Sequence, residues 1–187
     1  MRKYLLFMAL LGVLLPLWGQ ETRNSPINVN LIIDGSQALS GVKDDVVSWV
    51  SQSIIDRTLI NGDRITVWSA GQSAKVIFSE TIKSAADKDA VKKSIQAIGA
   101  GTGAGGSSSG ADFSGALKEA SSRQDSNLSY TLLITASPYA LSAILSSPQA
   151  SLLKYSRVEE FSGWRVLIIA LNIDSKVRNA AAAFFNS

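Results

Sequence analysis

The chain has 187 residues, with 18 Lys and Arg against 15 Asp and Glu, no His and no Cys. It therefore cannot form a disulfide, cannot use Ser–His or Cys–His catalysis, and lacks the usual ligands of zinc, copper and haem. Any metal it held would be a hard cation bound through oxygen, such as magnesium, manganese or calcium.

In chain order, Arg2 and Lys3 precede an apolar run from Tyr4 to Trp18, broken only by Gly12 and Pro16, and the small residue Gly19 follows. A basic start, a short apolar stretch and a small-residue exit describe a secretory signal peptide. The run is marginal for a membrane span, which needs about 20 apolar residues, so an uncleaved anchor is the lesser alternative. Residues 1–20 are expected to be a signal cleaved near Gly19 or Gln20, and residues 21–187 one exported domain, periplasmic or secreted in a bacterial envelope, with no integral membrane segment left. Without Arg2 and Lys3, 16 basic side chains face 15 acidic ones, so the sequence pI of 9.2 overstates how basic the mature chain is. Nucleic-acid binding needs a clustered basic face, whereas here Lys92-Lys93 is the only adjacent basic pair after the signal, and no nucleic-acid partner is expected.

Ile27 to Ile33, bounded by Pro26 and Gly35, reads as a buried strand. Ser40 offers a helix N-cap before Val46, Val47, Val50, Ile54 and Ile55, whose spacing in threes and fours buries one helical face. Asn61-Gly62 ends that helix. Arg64 to Trp68 and Lys75 to Phe78 are strands joined by a five-residue turn, an antiparallel hairpin. Ser84 with Asp87 forms a capping box for a helix carrying Val91, Ile95 and Ile98. A further helix is expected near Asp112 to Ser121, then a strand over Tyr130 to Thr135. Ser147-Pro148 reads as a cap and a first-turn proline opening a helix towards Glu160. Trp164 to Leu171 is a strand, and Asp174 to Phe185 the last helix. Trp49, Trp68 and Trp164 lie on apolar stretches and are expected in the core. Strands alternating with helices imply an α/β fold: a doubly wound, mainly parallel sheet with one antiparallel edge strand and helices on both faces. Ligands of such sheets meet the loops at the strands' carboxyl ends, here beginning at Asp34, Ala136 and Asn172.

Several local patterns carry no chemistry. Gly101-x-Gly103-x-x-Gly106 has the spacing of a dinucleotide loop, but a helical stretch precedes it where a strand is required, and no Lys follows for a phosphate loop. Ser40–Lys43 and Ser151–Lys154 match Ser-x-x-Lys, yet the companion elements of the enzymes using that dyad are missing. Asp44-Asp45 suits the first turn of a helix, and Glu159-Glu160 a solvated helix face.

In this order the pieces resemble the von Willebrand factor A domain family over nearly all the mature chain. "VNLIIDGSQALSG" resembles the first strand and metal loop, and "NGDRITVWSAGQSAKVIFS" the hairpin. "GSSSGADFSGALKEA" is similar to the second metal loop and its helix, "TLLITASP" to the fourth strand and third loop, and "WRVLIIALNI" to the strand before the last helix. The resemblance implies a metal-ion-dependent adhesion site with an Asp-x-Ser-x-Ser run, a threonine in the second loop and an aspartate in the third. Asp34 and Ser36 match the first two positions, but the others fall on Ala38, Ala111 and Ala136. A divalent cation takes about six oxygens, and three of these ligands have become methyl groups. Asp34 and Ser36 are thus expected to be a vestigial metal site with no cofactor, Asp34 accepting backbone N–H bonds of the Gly35-Ser36 turn instead. The expected function is a non-enzymatic module that binds a protein partner without metal, through a face holding Ser36, Ser40, Ser109, Asp112, Ser137 and Tyr139. The alternative is a magnesium- or manganese-dependent adhesin whose site is rebuilt from Asp112, Ser137 or the Ser107–Ser109 run.

Overall fold

The computed structural model describes residues 23–98, 112–123, 127–155, 163–171 and 174–186. Strand β1 (Ile27–Asp34) is buried along all eight residues. Successive strand side chains point to opposite faces, so Ile27, Val29, Leu31 and Ile33 enter one apolar core while Ile32 enters a second. Such a strand belongs in the middle of a parallel sheet. It pairs parallel with β2 (Arg64–Ala70) on one side and with β4 (Leu128–Thr135) on the other. The sheet order is β3-β2-β1-β4-β5. β5 (Trp164–Ala170) is parallel to β4, and β3 (Ala74–Thr81) is the antiparallel edge strand of the expected hairpin.

Both faces are covered. α1 (Lys43–Trp49) runs into a π-helical stretch, Val50–Asp56, and α2 (Ala85–Gln96) lies beside it. Val46, Val50, Ile55, Val91 and Ile95 close the first core. On the other face, α3 (Phe113–Ser122), α4 (Pro138–Leu145), α5 (Ala150–Tyr155) and α6 (Ser175–Asn186) close the second around Trp68, Phe113, Leu117, Leu141 and Trp164. The expected doubly wound α/β architecture is the observed one.

Three local expectations differ. Ser40 is exposed and caps nothing. A 3-10 turn, Gln37–Val42, follows β1 directly and is capped by Ser36, whose hydroxyl is near enough to the strand end to accept the Ala38 N–H at 3.3 Å. α1 then starts from Val42 without a side-chain cap, with Asp44 and Asp45 in its first turn as expected. Trp49 is not core but 41% exposed, because Val46 and Val50 take the inward positions of that helix. Finally, the cap-then-proline start is realised at Ser137-Pro138, opening a helix absent from the expectation. Ser147 to Gln149 only turn the chain into α5. The far end of the expected helix, with Glu159-Glu160, lies outside the described residues, as do the glycine-rich segment 99–111 and Asn172.

The capping box at α2 is present. One oxygen of Asp87 accepts the Lys83 N–H, the Ser84 N–H and the Ser84 hydroxyl, all within 3.0 Å. The Lys83 N–H, then the Ser84 hydroxyl, hold the Asp87 carboxyl below its ordinary value. A depressed folded-state value adds stability that is present above the unfolded carboxylate range and lost as pH falls through the folded value. Asp87→Ala is therefore expected to lower stability at neutral pH, and urea melts of the two proteins should converge once the pH is acidic enough to protonate Asp87 in the folded state.

Candidate functional site

The carboxyl ends of β1, β2 and β4 meet at one pole of the sheet, the apex. Asp34 ends β1 there and is 0% exposed. A buried carboxylate needs partners for both oxygens, and both have them. Oδ1 accepts the Ser36 N–H at 2.8 Å, the turn bond expected of this residue, and Oδ2 accepts the Thr135 hydroxyl at 2.6 Å. The Thr135 oxygen in turn accepts the Ser137 N–H at 2.9 Å, which commits its hydrogen to Asp34. Gly35 lets β1 leave the sheet close to β2: its N–H bonds the Ala70 carbonyl at 2.8 Å, and a Cβ would stand 2.6 Å from the Ser69 hydroxyl oxygen.

The other expected site residues divide by geometry. The Ser137 side chain is buried and caps α4 by accepting the Ala140 N–H at 3.2 Å. Asp112, half-buried, caps α3 through the Gly115 N–H at 3.0 Å, and its own N–H bonds the Gly71 carbonyl of the β2–β3 turn at 2.9 Å. Ser36 is half-buried with its hydroxyl engaged as the 3-10 cap, Ser40 is exposed on that turn, and Ser109 lies outside the described residues. Tyr139, just inside α4, stands 73% exposed. Ser36, Asp112 and Ser137 are thus helix and turn caps that shape the apex, while Ser40 and Tyr139 offer side-chain surface.

No protein-family model matches the chain, and no curated protein matches it. The likeness is to solved structures. The chain is similar to a von Willebrand factor type A protein from Catenulispora acidiphila, with a TM-score of 0.57 at 16% identity over 86% of this chain and 37% of that one. The chain has the von Willebrand factor A-type fold. Proximal thread matrix protein 1 from the mussel byssus is similar with a TM-score of 0.54 at 17% identity, over 78% of this chain and 38% of its own. A manganese-loaded TRAP protein of Plasmodium vivax gives 0.50 at 17% identity, over 86% of this chain and 63% of its own. The chain spans less than two thirds of the length of each of these structures.

The three positions where the resemblance would place further metal-loop oxygens hold alanine. Ala136 follows Thr135 directly and is 9% exposed, Ala38 is exposed on the 3-10 turn, and Ala111 lies outside the described residues. Among the described residues, no group of three or more His, Cys, Asp or Glu could hold a metal ion. Asp34 and Ser36 offer a cation one carboxylate and one hydroxyl oxygen, both already accepting hydrogen bonds. That donor set falls well short of about six oxygens. The residue the sequence reading missed is Thr135. Its signal was positional: as β1 and β4 pair in parallel, Ile33 stands opposite Ile134, which sets the next residues, Asp34 and Thr135, side by side.

Thr135→Val keeps the shape and removes the donor to Asp34. Leaving a buried charged acceptor short of a partner costs about 1–3 kcal/mol, and urea denaturation is expected to show a loss in that range. Ser40→Ala, on an exposed turn, should change stability by no more than about 0.5 kcal/mol.

Proposed function

We propose that the protein is an exported, non-enzymatic interaction module that engages a protein partner through the apex without a metal ion. The observation that carries this reading is the internal engagement of both Asp34 oxygens by Ser36 and Thr135, together with a Tyr139 exposed in the first turn of α4. Each Asp34 oxygen already accepts one of the fold's own hydrogen bonds, and Ala38 and Ala136 add no side-chain oxygen beside it. A contact face made this way relies on shape, hydroxyls and an aromatic anchor, and exposed Tyr side chains are favoured interface anchors because they bury large area at low entropic cost. Ser40, Tyr139 and the 3-10 turn supply the described part of that face, and Ser109 completes it in the proposal. The fold supports an interaction or adhesion role rather than an enzymatic one, and a chain with neither His nor Cys offers no Ser–His or Cys–His pair. No described helix is long and apolar enough to cross a membrane; export rests on the signal-like residues 1–20.

The alternative, a magnesium- or manganese-dependent adhesin, draws on the fold likeness to a manganese-loaded protein. Metal titration separates the two. Thermal melts of the chain are expected to be unchanged by millimolar magnesium or manganese. The triple variant Ala38→Ser, Ala111→Thr, Ala136→Asp restores the missing oxygens and should be stabilised by manganese, by about 2.7 kcal/mol once the metal exceeds its Kd a hundredfold. Stabilisation of the unmodified chain would favour the metal-dependent reading.

Partner capture tests the face itself. A crosslinked pull-down from the native envelope fraction should retain the same partner with and without EDTA, and Tyr139→Ala should weaken capture by roughly tenfold or more, the effect of losing one anchor of about 1.4 kcal/mol or above. A partner lost in EDTA and restored by manganese would overturn metal-free recognition.

A further inference from the structure

Two carboxylates are wholly buried among the described residues, Asp34 at the apex and Asp63 at the opposite pole, the base. Asp63 stands just before β2, behind the Gly62 turn whose φ of +98° favours glycine. Its Oδ1 accepts the Ile27 N–H at 2.9 Å and Arg23 Nη1 at 2.8 Å. Its Oδ2 accepts the Ile60 N–H at 2.8 Å and Arg23 Nη2 at 2.5 Å. The same guanidinium donates to the Ser25 carbonyl at 2.9 Å and the Thr58 carbonyl at 3.1 Å. One planar cation thus ties the stretch before β1 to the turn before β2, across 40 residues of chain.

A buried ion pair adds little net stability against its desolvation cost, but removing one partner leaves an uncompensated charge. What a fork-to-fork Arg–carboxylate pair supplies is direction, because both planes must align. Here the direction is that of the chain entering the sheet. We propose that the Arg23–Asp63 pair is a latch that holds residues 23–27 against the base of the folded domain, at the pole opposite the apex. β1 separates the two poles by about 25 Å. The latch does not rest on the function proposed above.

Limited proteolysis tests it, because trypsin needs a free Arg or Lys side chain in its specificity pocket and a latched Arg23 is not free. In the folded full chain the Arg23–Asn24 bond should resist trypsin. Asp63→Asn removes the charge that holds the guanidinium, and cleavage at this bond, followed by intact mass, is expected to accelerate by roughly tenfold or more while the Arg64–Ile65 bond inside the sheet stays protected. Equal cleavage of Arg23–Asn24 in both proteins would overturn the latch. So would an equal rise at both bonds in Asp63→Asn, which reports global loosening. Should Asp63→Asn fail to fold, Arg23→Lys retains a cleavable charge but not the fork; faster cleavage at position 23 supports the latch, and an unchanged rate overturns it. No arm of the test involves a partner or a metal, so its failure is distinct from failure of the apex reading.

Discussion

The register between β1 and β4 is the constraint on which the rest of the molecule depends. Three polar residues of β1 face the same side of the sheet, and each meets a hydroxyl of β4 at the same offset of 101 residues. Asn28 donates to Ser129 and Asn30 to Thr131, both at 3.4 Å, and Asp34 accepts from Thr135 at 2.6 Å. Ile32 opposite Leu133 interrupts the series with an apolar rung in the second core. A slip of one residue turns every side chain of a strand to the other face, which would bury these polar groups without partners and take Asp34 from its donor. Hydrogen-bond satisfaction and apolar burial therefore select the same pairing.

That pairing decides the chemistry of the apex. A carboxylate at the end of a central parallel strand is open to a cation when few protein donors reach it. In this chain the neighbouring strand ends in a hydroxyl, and the backbone after that hydroxyl returns an N–H to it. The Asp34 charge is met from inside the protein, by groups whose geometry the sheet holds in place. Where a metal loop would place further oxygens, Ala38 and Ala136 place methyl groups. At Ala136, which is buried, the methyl group also leaves no polar atom in search of a partner.

The two buried carboxylates perform parallel tasks at opposite poles. Asp34 gathers a turn N–H and a strand hydroxyl, and Asp63 gathers two backbone N–H groups and a guanidinium. Each joins segments far apart in sequence at the end of a strand. Between them apolar packing covers both faces of the sheet, and buried polar pairs cross it at Asn28–Ser129 and Asn30–Thr131, where Trp164 also donates its ring N–H to Thr131.

Much of this architecture was legible in the sequence because hydrophobic period and turn chemistry are local. The continuous apolar run of β1, the hairpin signal before β3 and the Ser84–Asp87 box each state their own structure. The order of strands and helices then leaves few topologies other than a mainly parallel sheet with its hairpin at an edge. The alanines at positions 38, 111 and 136 were equally readable, because they are residue identities. What only the tertiary structure decided involves partners far apart in the chain. Thr135 as the donor to Asp34, and Arg23 as the counter-charge of Asp63, depend on register and on which strand ends meet. The outward turn of Trp49 and the capture of the first cap by Ser36 rather than Ser40 follow from how the chain leaves β1, a few ångströms that spacing alone does not encode. Periodicity shows that a residue belongs to a buried face, whereas the atom that satisfies a buried charge is chosen by the three-dimensional closure of the sheet.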